Sequence, residues 1–188
     1  MCVVAIATVG ATSSNASIEA PQDRAETQRA SAPAIVGRWS RVTTCQELVS
    51  ALKKAGLRAT APAMLAGNGL VPGTPQQLAQ KPDICSGARP RAHSHFFTAQ
   101  GAFGSLDWRG QQVDDGNYRV VDARTFRIGD AVFHYRVTGK RLTLSPVISA
   151  SAKRQALADP MKFSTAGWQI AVSFPGYTWN RVPCKYWC

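Results

Sequence analysis

The chain has 188 residues, with 22 Lys+Arg against 11 Asp+Glu and a formal charge of +11. Hydrophobic residues make up 45% and charged residues 18%, which excludes a disordered chain and describes a globular one. A folded body of roughly 150 residues buries about two-thirds of its unfolded surface, so a core can form without metal or crosslinks.

The first apolar stretch is 2–11, and no charged residue precedes Glu19. Followed by Ser13-Ser14-Asn15-Ala16, it is read as a signal peptide cleaved after Ala16, although no basic residue leads it. It is too short to span a bilayer, and no later segment approaches the length of a transmembrane helix. Residues 17–34, rich in Ala, Ser, Gln and charge, read as a disordered linker. The expected domain is 35–188.

Within it, IVGRWSRVT (35–43) has strand character. Thr44 with Glu47 forms a capping-box signature opening a helix, whose apolar face is Leu48, Val49, Leu52 and Leu57 and whose stop is Gly56. Residues 62–67 add a helical turn, Asn68-Gly69 and Pro72-Gly73 are turns, and Thr74-Pro75-Gln76-Gln77 opens another short helix. Together these make a helical insert over 45–81.

From Ala92 the hydrophobic period changes to two. HSHFFTAQ, AFGSLDW, NYRVVDA, TFRIG, AVFHYRV, RLTLSPV, WQIAVSF and YTWNRV read as successive strands. Arg109-Gly110, Asp115-Gly116, Thr138-Gly139-Lys140 and Pro175-Gly176 supply turns, and 149–165 reads as a short helix or lid. The fold class is mainly β: an antiparallel up-and-down β-barrel of about eight or nine strands, or a sandwich, with a helical insert after the first strand. Alternation places Phe126, Ile128, Phe133, Tyr135, Val137, Leu142, Leu144, Trp168, Ile170 and Val172 inward, with Arg127, Arg136 and Gln169 on the opposite faces. A barrel of this size is filled with side chains or holds one small ligand.

Five cysteines occur. Without Cys2, four remain: Cys45, Cys85, Cys184 and Cys188. In an exported chain they suggest two disulfides, with three connectivities open. Barrel order favours Cys45–Cys85, which would tie both ends of the insert. Cys45–Cys184 is disfavoured because Cys45 ends the first strand and Cys184 the last, and Cys184–Cys188 is the remainder.

Gly37-Arg38-Trp39 opens the first strand, and Trp179-Asn180-Arg181 lies on the last. In these residues and its hairpin ladder, the region 35–184 resembles small exported lipocalin-like domains of the calycin group. The resemblance implies that Gly37 and Trp39 close one end of the barrel, with Arg181 packing across the indole by a cation–π contact. It also implies a cup for a small, mainly apolar molecule. The insert departs from the typical lipocalin pattern, and no catalytic residue carries over.

Phe97, Trp108, Tyr118, Tyr135 and Trp168 are the candidate wall of a ligand pocket, with plain core as the competing reading. The tyrosine hydroxyls need partners if buried. His93 and His95 share one strand face, and with His134 they could make a three-histidine metal site, though ligand count argues against a metal. Asp107, Asp114, Asp115, Asp122 and Asp130 fall near expected turns. No P-loop, Rossmann or nucleophile-elbow motif occurs, so no cofactor is expected and no catalytic residue is named. The scattered basic residues include no run of five and no aromatic–basic RNA signature, so nucleic acid is not an expected partner.

Three functions follow as expectations. The first is a secreted or cell-envelope binding protein for a small apolar or amphiphilic ligand. The second is a barrel cyclase or isomerase. The third is a basic module with a filled barrel that contacts an anionic surface.

Overall fold

The computed structural model describes residues 33–184. The expected signal peptide and linker up to residue 32, and Cys188, lie outside the described residues. Eight strands form a closed, all-antiparallel up-and-down barrel in sequence order. They are β1 Gly37–Thr43, β2 Arg91–Phe97, β3 Ala102–Leu106, β4 Gln112–Asp122, β5 Thr125–Ile128, β6 Ala131–Thr138, β7 Arg141–Val147 and β8 Thr178–Val182. The seam closes between β1 and β8, where Trp39 pairs with Arg181. Closure leaves no strand edge unpaired.

Among the described residues, five α-helices and one 3-10 turn, Arg58–Thr60, lie in two connections. Between β1 and β2 come α1 Cys45–Lys54, α2 Ala61–Gly67 and α3 Pro75–Ala79; between β7 and β8 come α4 Ala150–Ala158 and α5 Thr165–Ser173. In an up-and-down barrel these two connections leave from the same end, so the helices gather there. The opposite end carries the short β2–β3, β4–β5 and β6–β7 turns.

Local chemistry explains the helix starts. Thr44 Oγ1 accepts from Glu47 N–H while the Glu47 carboxylate accepts from Thr44 N–H, at 3.2 and 2.9 Å. Thr74 and Gln77 repeat the reciprocal pair. Glu47 also binds Arg41 at 2.9 Å. The Arg41 guanidinium lies 4.8 Å from the Phe174 ring centroid and 4.4 Å from that of Tyr177, so one strand cation pins α1 and the end of α5 to the barrel wall.

Two expectations are corrected. WQIAVSF is not a ninth strand; it lies in α5 and its cap. Ser164 caps that helix through Gly167 N–H, and every residue from Gln169 to Ser173 is buried. A helix buried on all sides loses its amphipathic signature. Gln169, expected on an outward face, is 2% exposed, and its amide donates to the carbonyls of Val132 and Val147 at the barrel rim. Asp115-Gly116 is not a hairpin either. It lies inside β4, paired with Gly104 and Phe103. The reversal comes earlier, where Asp107 Oδ1 accepts from the N–H groups of Arg109 and Gln111.

Cys45 and Cys85 form a disulfide with Cα atoms 5.7 Å apart, spanning 40 residues of sequence. It clasps the helical insert at both ends. Cys184 is also disulfide-bonded; its expected pairing with Cys188 lies outside the described residues. Closing a loop of this length removes about 4 kcal/mol of unfolded-state entropy. Replacing Cys45 and Cys85 together by alanine should therefore lower unfolding free energy by about 2–4 kcal/mol in a urea titration. A change below about 1 kcal/mol would mean that the insert holds its place without the clasp.

Candidate functional site

Register sorts the barrel interior. Phe97 pairs with Phe103, Val120 with Phe126, and Phe126 with Phe133, all facing inward. These rings pack on one another: Phe126 stacks on Phe133 at 5.1 Å and meets Phe97 edge-on at 5.4 Å. Phe97, Phe103, Phe126 and Phe133 are at most 1% exposed. The middle and turn end of the barrel are thus filled.

Space remains at the helix-covered end. A cavity of about 280 Å³ lies between the end of α2, the facing ends of β2, β3 and β4, and α5. Its wall includes His93, His95, Ser105, Asp107, Trp108, Asp114 and Trp168. Phe163 and Val113, both well exposed, form part of its rim.

The polar wall follows from strand pairing. His95 lies opposite Ser105, and Ser105 opposite Asp114, so three strands present one inward polar row. His95 Nε2 is 3.0 Å from the Val172 carbonyl, and Nδ1 is 2.9 Å from Ser105 Oγ. A carbonyl only accepts, so Nε2 carries the proton and Ser105 donates to Nδ1. Burial holds the His95 pKa down to about 3, which keeps the ring neutral. Burial also lowers the pKa of His93, whose Nδ1 is 2.9 Å from Thr43 Oγ1.

Asp114 accepts from Trp168 Nε1 at 2.6 Å. Burial raises its pKa and the Trp168 hydrogen bond partly offsets that. Trp108 lies over Gly69, whose φ is +62° and where a Cβ would come within 2.6 Å of the indole. Arg91 and Arg109 lie 4.3 and 5.3 Å from the Trp108 ring centroid.

Of the five expected wall residues, the structure brings Trp108 and Trp168 to the cavity. Phe97, Tyr118 and Tyr135 lie in the filled interior instead, and the Tyr118 hydroxyl donates to the Thr98 carbonyl at 2.7 Å. At the opposite end, the Arg181 guanidinium lies 4.3 Å from the Trp39 ring centroid and donates to the carbonyls of Val36 and Ala34. Gly37 has φ +137°, and a Cβ there would come within 2.9 Å of Arg181 Nη1.

The three histidines are not brought together. His93 and His95 face inward, whereas His134 is exposed beside Thr125 on the outer face. Among the described residues no group of three or more His, Cys, Asp or Glu is placed to hold a metal. No helix among them is long and apolar enough to cross a membrane.

Sequence reasoning missed Ser105 and Asp114 as wall residues and read Asp114 as turn chemistry. The available signal was the alternation Asp114, Gly116, Tyr118, Val120, which places all four on one strand face. Compared with known proteins, the chain matches no family model and no curated protein. The fold and site together define an eight-stranded barrel with a small aromatic-and-polar cavity under a helical cover.

Proposed function

We propose that the protein is an exported, lipocalin-like binding protein whose small amphiphilic ligand occupies the cavity under α5. The observation that carries this reading is the contrast within one barrel. The middle is packed with phenylalanine, while the helix-covered end holds a cavity of about 280 Å³ lined by indoles and convergent polar atoms. That combination of apolar wall and few placed polar groups is the usual make-up of a small-molecule site. The cavity's size restricts the ligand, or the part of it that enters, to a small fragment. Disulfide bonding supports an oxidising, extracytoplasmic location.

The cyclase or isomerase reading has one observation in its favour, the Ser105–His95–Val172 hydrogen-bond chain beside the cavity. A histidine whose pKa is about 3 is a poor base at neutral pH, so binding without chemistry is the better account. The filled barrel middle and the outward Arg119, Arg127, Arg136 and Arg141 favour the third reading, contact with an anionic surface. That contact would leave the cavity without a role.

Native mass spectrometry of the protein purified from its own host tests the reading. A retained small-molecule mass is expected, and Trp168→Ala should remove it while the barrel's β circular-dichroism signature persists. Retention of the same mass by Trp168→Ala would move the ligand elsewhere. A protein with no retained mass that also fails to bind any member of a small-molecule panel would end the binding reading.

A further inference from the structure

The hydrogen-bonding state of the cavity wall narrows the ligand class. Most side-chain donors on the wall are already spent: Ser105 on His95, His95 on Val172, Trp168 on Asp114, and one N–H of the Asn68 amide on Met64. Trp179 Nε1 donates to Ser173. His93 is engaged with the Asn68 backbone and Thr43. Trp108 Nε1 and the second N–H of the Asn68 amide are the side-chain donors left over. What the wall offers a ligand is therefore mainly acceptors and ring faces.

The charge of the wall has one sign. Asp107 and Asp114 are its charged members, and no lysine or arginine lines it, in a chain whose formal charge is +11. The Asp114 carboxylate and the Trp168 indole are fixed to each other by their hydrogen bond, so a negative group and an aromatic surface are presented together. Trp108 already attracts two guanidiniums from outside the wall. Trp168 holds none and meets Phe103 and Phe133 edge-on. The scattered surface cations are screened beyond about 8 Å at physiological salt, whereas a carboxylate inside a partly buried cavity is screened much less.

We propose that the cavity receives a small organic cation, a protonated amine or quaternary ammonium head, held by Asp114 and Asp107 against Trp168. The cation supplies the positive charge that the wall lacks, a protonated amine adds N–H donors for the carboxylates, and its alkyl groups cover the Trp168 indole. Aromatic surfaces beside carboxylates recognise such heads through cation–π and Coulomb attraction. The inference rests on the binding reading above and specifies its ligand.

The test compares choline and phenethylammonium with the uncharged isostere of choline, in which a tert-butyl group replaces trimethylammonium. Binding to the disulfide-intact protein is followed by calorimetry and tryptophan fluorescence. At least one cation should bind, with choline or phenethylammonium favoured over the isostere by about tenfold or more. Asp114→Asn keeps an acceptor for Trp168 and removes the charge, so it should abolish that preference while leaving the thermal transition near that of the parent. Trp168→Phe is the second variant, retaining an apolar ring with a weaker cation–π face, and should weaken cation binding several-fold. If the isostere binds as well as the cations, the charge inference fails and the amphiphile reading stands. If neither cation binds at millimolar concentration, or a neutral molecule is the mass retained from the host, the cation inference is overturned. Only the further loss of all small-molecule binding would take the broader reading with it.

Discussion

Truncating Phe126 to alanine should cost about 3–5 kcal/mol of stability and open a void among the packed rings of the barrel middle. Phe126 is fully buried. Its ring meets Phe97 at 5.4 Å, Phe133 at 5.1 Å, Tyr135 at 5.7 Å and Tyr118 at 6.4 Å. These neighbours sit on β2, β4 and β6, so collapse into the space would need several strands to shift together. Incomplete relaxation makes such truncations expensive, because a cavity cost adds to the lost transfer free energy. The new void would be lined by aromatic carbon. Apolar voids of this kind stay dry and admit small aromatic molecules. Urea unfolding reads the stability, and a benzene-induced rise in the variant's melting temperature reads the void. A loss below about 1 kcal/mol would show that the barrel middle is not packed around this ring.

Acid should destabilise the protein from about pH 6.5 downward, with His95 as the principal cause. The ordinary histidine pKa is 6.5, and burial lowers it to about 3 in the folded chain. Between these values the unfolded chain takes a proton that the folded chain refuses. The stabilising contribution is therefore complete above about pH 6.5 and is lost progressively as pH falls toward 3. Its slope is about 1.4 kcal/mol per pH unit. His93, also lowered by burial, acts in the same direction. Asp114, whose pKa is raised, binds its proton more readily when folded, so it opposes the trend within the carboxylate range.

Replacing His95 by glutamine removes the titrating ring. The variant should be less stable at neutral pH by about 1–3 kcal/mol, because the Val172 carbonyl or the Ser105 hydroxyl loses a partner. Its stability should fall more gently with acid. Urea titrations of both proteins from neutrality to about pH 5 compare the slopes. Equal slopes would remove His95 as the cause.

Period-two alternation carried the barrel because one face of each strand meets the packed interior and the other meets water. Phe126 and Ile128, or Leu142 and Leu144, are legible for that reason. The same rule failed at Trp168, Ile170 and Val172. Their helix is buried on nearly every side, so no polar stripe interrupts the apolar run, and the visible helical signal was the Ser164 cap. Asp115-Gly116 failed because turn-forming dipeptides are permissive. Across β4 the strand pairing outweighs the local preference, and Asp107 takes the turn instead.

The candidate site was legible only in part. Trp108 and Trp168 are large aromatic residues, and a search for pocket walls finds them. Asp114 and Ser105 become wall residues through cross-strand register, which no single segment encodes. Tyr118 and Tyr135 share their chemistry, and only three-dimensional packing separates a filled interior from an open end.

The strand count has a practical consequence for handling the protein. β1 starts beside the end of β8, with Arg38 opposite Val182, so the barrel's first and last strands begin and end where Arg181 packs on Trp39. The cavity opens at the other end, beneath the helices. A linkage made at the start of β1 or the end of β8 would therefore sit at the rear of the barrel. The cavity would then face away from that linkage.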